Sequence, residues 1–313
     1  MANQRMKDAE GLLLVEPLQE LYKKHDDDNL YRWKPQNYTP LKDEELQAIL
    51  DKEPADAIRE LLDKWHELYY YTAQEVVLHW VFHELCPRND SYLNVLLKVS
   101  VLNDFYSTGI GDTGYVAKRI WQLKEVDEKG KPLKNGRTLD ERLQDRDFNL
   151  VKQIAEKIEF PRKDVFGNEK PETIKTEKKE KYREWSFRSF ASKFCSHHKL
   201  KCNEGKKGED LKEFPILDSN VEEMLYYFQK KDHFIKDVAK EIGKGGAFDR
   251  TLTRINTLRR ETILEEPEVL HAVLCHFRRY YGLTEHSLRD IDHYLWLRGK
   301  IDTYLKNKNK KKK

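Results

Sequence analysis

The segment WSFRSFASKFCSHH, residues 185–198, is followed after a charged insert by FPILDSNVEEML, residues 214–225. The aromatic residues of the first segment recur at spacings of three and four, the period of an amphipathic helix packed on a core. Lys193 lies at the edge of this apolar face, and Asp218 precedes the second helical pattern. A partly buried amine is a potential nucleophile, and a carboxylate at a helix N-terminus is a fixed negative charge. If the two side chains converge, they can perform covalent chemistry at a carbon that develops positive charge.

Both residues also have a structural interpretation. Lys193 can lay its apolar stem along the helix and keep its ammonium in water. Asp218 is a good cap for the following helix, and Ser219 with Glu222 has the spacing of a capping box. Pro215 fixes the chain just before this turn. A capping Asp218 is therefore also a well-positioned carboxylate, and the structural and catalytic interpretations of it are compatible.

Helical periodicity dominates the rest of the chain, and sustained strand alternation is scarce, so the pattern predicts an all-α protein. Asp112 is a good candidate for the N-cap of one of these helices. The predicted helices are Leu46–Leu50, Ile58–Tyr70, Thr72–Leu85, Ser91–Asn103, Gly111–Leu123, Phe148–Ile158, Phe187–His198, Val221–Lys231, Thr251–Thr262, Pro267–Tyr280 and Glu285–Leu305.

Composition divides the chain into three parts. We expect an N-terminal helical region at residues 1–90, a helical core at residues 91–305 and a basic, disordered tail at residues 306–313. Glycine, proline and charge runs predict surface loops within the core. These loops lie at residues 124–146, 161–181 and 199–213.

The 313 residues are 38% hydrophobic, which is enough for a substantial core. Charged residues make up 36% of the chain, but the net charge is only +3, so bulk charge does not by itself indicate nucleic-acid binding. Lysine clusters at residues 175–181, 199–207 and 306–313 favour polyanions, although such runs are more often solvated segments.

The four cysteines show no CxxC spacing, which predicts reduced thiols. The N-terminus lacks the apolar core of a signal peptide, and no run approaches the roughly 20 apolar residues of a membrane span. We therefore expect a cytoplasmic protein that acts as a monomer away from membranes.

A zinc site is the alternative interpretation of one cluster. The spacing C-x-H-H-x3-C does not match the usual paired ligands of zinc, and helix packing accounts for Cys195 and His198. We therefore predict no metal. The residues of this cluster are Cys195, His197, His198 and Cys202.

Four blocks of the chain together resemble a known family. ASK ending at Lys193, FPILDS containing Asp218, LLKVSVLNDFYSTGI at residues 96–110 and YLWLRGK at residues 294–300 are similar to the helix-hairpin-helix DNA glycosylases. The resemblance is to the bacterial branch of the lyase-active 8-oxoguanine DNA glycosylase fold, and it covers scattered blocks from about Leu96 to the C-terminus. It implies a multi-helix bundle with two helical lobes and a cleft for DNA and the flipped base between them.

This resemblance implies a reaction on double-stranded DNA that contains a modified base. The nucleotide flips into a pocket, Lys193 attacks the anomeric carbon as the base leaves, and Asp218 stabilises the positive charge on the sugar. The resulting Schiff base permits strand cleavage at the abasic site. This chemistry requires no metal or redox cofactor.

The same resemblance suggests further DNA contacts in the block at residues 96–110. Asn103 stands where the family often places a polar residue that touches the flipped site or the orphaned base; the alternative is a helix C-cap. Phe105 and Tyr106 could wedge into the base stack, although aromatic residues at this spacing are more often part of a core.

The family's hairpin glycines, whose amides approach a DNA phosphate, are absent from REWSFRS at residues 183–189. Arg188 is a candidate replacement for that phosphate contact. Trp185 and Phe187 are candidates for stacking on the base, with core packing as the alternative. Lys244 lies in a GKGG loop that lacks the phosphate-loop pattern, but a DNA phosphate could bind at the helix start beside it.

Three functions remain open from the sequence. The resemblance favours repair of oxidised guanine by base excision. An antiviral glycosylase that removes modified cytosine, such as glucosylated hydroxymethylcytosine, from phage DNA is an alternative. A non-catalytic DNA-binding protein on the same fold is another, because the hairpin is altered.

Overall fold

The computed structural model describes residues 42–67, 69–106, 110–123, 133–156, 158–161, 182–185, 187–198, 213–235 and 267–311. Helices dominate these ranges, so the all-α class is confirmed, with one small β-ribbon added. The elements are α1 (Asp43–Asp51), α2 (Pro54–Glu67), α3 (Tyr69–His79), the π-helix π1 (Trp80–Leu85), α4 (Tyr92–Tyr106), α5 (Thr113–Trp121), α6 (Leu139–Gln144), α7 (Phe148–Ala155), β1 (Ile158–Pro161), β2 (Tyr182–Trp185), α8 (Arg188–Ser196), α9 (Ser219–Asp232), α10 (Pro267–Tyr280) and α11 (Leu288–Lys311).

The predicted central helix Thr72–Leu85 is in fact two elements, α3 and π1. The wider π turn ends where the Cys86 amide donates to the Val81 carbonyl, five residues back. This change of winding brings Phe82 and His83 against the end of α8. The Phe82 ring lies 4.9 Å from that of His198, and His83 Nε2 donates to a backbone carbonyl there at 2.7 Å.

The β-ribbon corrects the predicted helix boundaries on either side of the second loop. Ile158 pairs with Trp185 in an antiparallel register, so the helix expected to reach Ile158 ends at Ala155. Glu156 has an extended backbone (ψ 140°), which stops the helix. Aromatic and β-branched residues in these two segments favour the paired, extended conformation. Helix α8 begins only at Arg188, after the ribbon.

Two further segments are more ordered than expected. The predicted loop at residues 124–146 contains α6, which starts with a capping box between Thr138 and Glu141. The fully buried guanidinium of Arg142 anchors this helix to Asp147 at 2.8 Å.

The tail expected to be disordered is helical at residues 306–311, as the end of α11. Asp112 caps α5, as predicted, by accepting from the Tyr115 amide.

Buried apolar residues form two separate cores. The first core joins α1 and α2 to α9, α10 and α11. The second core joins π1 to α4, α5, α6, α7 and α8. The segment FPIL passes from one to the other, since Phe214 packs in the second core and Leu217 in the first. Helices α1 and α2 of the N-terminal region thus share a core with the C-terminal helices, whereas π1 of the same region packs in the second core. None of the described helices combines the length and apolar character needed to cross a bilayer.

Gly299 lets α11 approach the start of α9 very closely. A Cβ atom built at Gly299 would lie 2.9 Å from Asn220 Cβ and 3.0 Å from its carbonyl oxygen. Both distances are too short for a methyl group, and one of the opposing atoms is backbone. The glycine therefore fixes the distance between α11 and the N-terminus of α9, where Asp218 lies.

We predict that Gly299→Ala lowers the free energy of unfolding by about 1–3 kcal/mol, the usual cost of overpacking. This loss should occur although alanine has the better helix propensity by about 1 kcal/mol. Urea denaturation measures the difference. Gly114→Ala is the matched control, because a Cβ on that helical glycine would meet only the Tyr92 hydroxyl at 3.3 Å and the Asp112 side chain at 3.5 Å. Equal or higher stability of Gly299→Ala would contradict the prediction.

Candidate active site

Lys193 is buried, with only 5% of the residue exposed. Its Nζ donates to Ser189 Oγ at 2.7 Å, one turn earlier on α8. It also donates to Asp218 Oδ2 at 3.3 Å, and it lies 5.1 Å from the centroid of the Tyr106 ring. The interpretation of Lys193 as a lysine with its ammonium in water is therefore wrong. The two residues singled out from the sequence converge.

The two carboxylate oxygens of Asp218 make different contacts. Oδ1 caps α9 by accepting from the Asn220 amide and the Asn220 side chain, both at 2.9 Å. Oδ2 faces Lys193. Burial opposes the charged form, but Lys193 and the Asn220 donors outweigh it and hold the pKa of Asp218 below its ordinary value. The cap is Asp218 itself, and Ser219 is the first helical residue.

Ser192 positions Asp218 relative to the lysine. Its hydroxyl accepts from the Leu217 amide at 2.9 Å and donates to the Ser189 carbonyl at 2.9 Å. These contacts tie the residue before Asp218 to the helix that carries Lys193. No sequence pattern indicates this role, because a serine between apolar residues of a helix has many uses.

A second ion pair lies behind the Tyr106 ring. Arg289 Nη2 contacts both Glu75 oxygens, at 2.8 and 2.7 Å, and the Tyr106 hydroxyl donates to Glu75 at 2.6 Å. His197 Nε2 lies 3.1 Å from the same hydroxyl. Burial and the Arg289 guanidinium lower the pKa of His197 to about 3, so the imidazole is neutral at pH 7. Although burial favours the acid form, Arg289 holds the pKa of Glu75 well below its ordinary value.

Asp292 adds a second carboxylate to the surroundings of Lys193. It lies one turn after Arg289 on α11 and is 7% exposed. Burial raises its pKa to about 7, with Asp218 adding to the increase and Arg289 opposing it. Periodicity could not single it out, since a lone aspartate in the polar pattern of a helix is normally at the surface.

The other residues predicted to contact DNA are placed as follows. Asn103 lies inside α4 and bonds to the Ile110 backbone through Oδ1 at 2.8 Å and Nδ2 at 3.1 Å. The alternative of a C-cap is wrong, because α4 continues to Tyr106. Phe105 is partly buried against the second core. Tyr106 supports the Lys193 ammonium with its ring and is hydrogen-bonded through its hydroxyl.

Phe187 is a core residue with 3% exposure, so the expected stacking on a base does not fit its position. Its ring packs 6.5 Å from that of Phe190, because it sits at the N-cap of α8 and points into the second core. Arg188 opens α8 and is partly exposed. Trp185 ends β2 through its backbone, and its side chain lies outside the described residues, as does Lys244.

The side chains of the Cys/His cluster diverge. His198 Nδ1 donates to the Phe194 carbonyl at 2.7 Å, and its Nε2 faces Lys98 at 3.2 Å. Cys195 is fully buried, and burial raises the pKa of its thiol. Cys202 lies outside the described residues. Within the described ranges no group of three metal-ligating side chains occurs.

Comparisons with known proteins place the chain in a family. A family model, HI_0787_N, described as an N-terminal domain, matches residues 57–204. An uncharacterized protein of Haemophilus influenzae is 31% identical over 222 residues, which is 71% of this chain and 74% of the relative. The chain belongs to the family of this Haemophilus protein. No solved structure matches it. The matched domain includes Lys193 and ends before Asp218, and neither match names an activity, so a function has to be argued from the site.

We predict that Glu75→Gln lowers the free energy of unfolding by about 3–5 kcal/mol, because it leaves the largely buried Arg289 guanidinium without its counter-charge. Combining it with Arg289→Met should recover much of this loss, since the double variant buries no uncompensated charge. Chemical denaturation of the two single variants and the double variant gives the coupling energy. Additive losses would show that the two side chains do not act as a pair.

Proposed function

We propose that the chain is a DNA glycosylase. It would flip a damaged or modified base out of double-stranded DNA, release it by lysine attack at the anomeric carbon, and cleave the abasic site. The observation that carries this proposal is the contact of 3.3 Å between Lys193 Nζ and Asp218 Oδ2, buried between two helical cores. The resemblance of the surrounding blocks to helix-hairpin-helix glycosylases supports this chemistry for the pair.

In the proposed reaction the Lys193 amine forms a bond to C1′ of the flipped nucleotide. The N-glycosidic bond breaks, and its electron pair leaves with the base. Positive charge develops on the sugar, and the Asp218 carboxylate is preorganised to stabilise it. Ring opening then gives a protonated imine. Loss of a proton from C2′ expels the 3′ phosphate, and hydrolysis of the imine restores Lys193.

The cost of burying the pair supports a functional interpretation. An ion pair removed from water loses hydration free energy, which a pair of apolar side chains in the same place would not lose. Asp218 could cap α9 without Lys193, because its cap bonds use Oδ1 alone. Lys193 is therefore not required by the cap. Buried charged groups of this kind are often found in active sites.

The proposal leaves the class of base to experiment. By resemblance the first substrate to test is 8-oxoguanine, in a repair role. Glucosylated hydroxymethylcytosine, in an antiviral role, is the alternative. Duplex oligonucleotides that carry one oxidised, deaminated or glucosylated base, assayed for base release, distinguish these roles.

We predict that wild-type protein forms a covalent adduct with duplex DNA containing a preformed abasic site when borohydride is present. The reductant converts the imine into a stable secondary amine, which is detected as a shifted band on a denaturing gel. Lys193→Gln should lose the adduct and keep DNA binding. Lys300→Gln, which removes an exposed lysine on α11, is the matched control and should form the adduct normally.

Asp218→Asn separates the two proposed roles. Asparagine also caps helices, so α9 should keep its N-cap. Base release should fall about 10²–10³-fold, the usual effect of removing one preorganised group from a developing charge. An adduct that persists in Lys193→Gln would refute the assignment of the nucleophile. DNA binding by the wild type without any adduct would instead favour the non-catalytic DNA-binding protein.

A further inference from the structure

Lys193 has to lose a proton before it can attack a carbon, and Asp218 is poorly suited to take it. Both Asp218 oxygens are engaged, one by Asn220 and one by Lys193 itself. Its lowered pKa keeps it a carboxylate. The ammonium form of a lysine is not a nucleophile. A separate proton acceptor is therefore needed near the pair.

Asp292 has the charged surroundings and the hydrogen-bonding state of such an acceptor. Its Oδ1 is buried and has no hydrogen-bond partner within the described part of the chain. A buried oxygen without a donor carries a free-energy penalty that a proton, a water or a ligand would relieve. Four charged groups act on its carboxyl from the surrounding elements: Arg289 on its own helix, Lys193 on α8, Asp218 just before α9 and Glu75 on α3.

We propose that Asp292 is the proton acceptor for Lys193, an inference that rests on the proposed function. On a preformed abasic site, a proton moves from the Lys193 ammonium to the Asp292 carboxylate through an intervening water. The neutral amine then adds to the C1′ aldehyde, giving a carbinolamine. As the C1′–O bond breaks, Asp292 returns its proton to the departing hydroxyl, which leaves as water. The products are the protonated imine on Lys193 and an Asp292 carboxylate.

The electrostatic environments of the two carboxylates suit this division of roles. Burial raises the pKa of Asp292 to about 7, so the group can both accept and return a proton near neutral pH. Asp218 stays charged throughout. Glu213 also has a pKa raised by burial to about 7, but its Oε2 accepts from the Leu288 amide at 2.6 Å at the start of α11. The Glu213 carboxylate is thus already used to hold the start of α11, which leaves Asp292 as the better acceptor.

The test is the pH dependence of single-turnover strand cleavage on duplex DNA with a preformed abasic site. For wild-type protein the rate should rise with pH through an inflection near 7, because only the carboxylate form of Asp292 accepts a proton. Asp292→Asn should lose this inflection, and its rate at pH 8 should fall at least ~10²-fold, the lower end of the usual contribution of a general base. Asp292→Glu, which keeps a carboxyl group, should restore an inflection.

Asp302→Asn is the matched control. It removes an aspartate from the same helix, where the side chain pairs with Lys306 at the surface, and its profile should follow that of the wild type. An active wild-type protein with the same pH profile as Asp292→Asn would overturn the role of Asp292 alone. A wild-type protein inactive at every pH would overturn that role and the proposed function together.

Thermal unfolding adds a readout that is independent of activity. The pKa of the Asp292 carboxyl is higher in the folded state than in the unfolded state, so its protonated form stabilises the fold. This stabilisation is present at low pH and is lost as the pH rises towards 7. The melting temperature of wild-type protein, relative to Asp292→Asn, should therefore fall between pH 4 and pH 7. A constant difference over this range would show that Asp292 ionises normally and would overturn the inference.

Discussion

The ion pair between Lys193 and Asp218 is the interaction on which the arrangement of the site depends. It lies where the chain passes from one apolar core to the other, between α8 in the second core and the start of α9 beside the first. The Glu75–Arg289 pair, a short distance away, joins α3, whose Leu78 packs in the second core, to α11 of the first core. Buried charges without partners are very costly, so these two pairs restrict how the cores can sit together. If the two cores met only through apolar side chains, they could slide past each other without this penalty.

The position of Asp218 at the boundary between the two cores also explains how it can both cap α9 and take part in the proposed reaction. Oδ1 of Asp218 satisfies the first turn of α9, so the carboxylate cannot rotate without losing the cap. Oδ2 is thereby fixed in direction towards Lys193. Asp292 has no such hydrogen bonds at Oδ1 and takes up a proton more readily. The two carboxyl groups thus differ in pKa: the Lys193 ammonium and the hydrogen bonds lower the pKa of Asp218, and burial raises the pKa of Asp292.

Local patterns in the sequence predicted the features that depend on neighbours in the chain. The helices around Lys193 and Asp218, and the cap at Asp112, follow from spacing and capping chemistry. The Glu75–Arg289 pair could not be predicted in this way, because its members are 214 residues apart. The β-ribbon was missed for a related reason: each strand has four residues, too few for alternation to be distinguished from a helical pattern, and only their pairing makes them strands.

Helix α11, which contains the YLWLRGK block, links the first core to the charged residues of the site. Its apolar face fills the first core, while Arg289 and Asp292 project from the same helix towards the charges of the site. Gly299, two turns further on, allows the close contact with Asn220, whose amide and side chain hold Asp218 in place. A shift of α11 would therefore move a counter-charge, a carboxyl group and the capped end of α9 together. The geometry around Lys193 is set in large part by a helix almost 100 residues away in the sequence, which ties the stability of the first core to the alignment of the site.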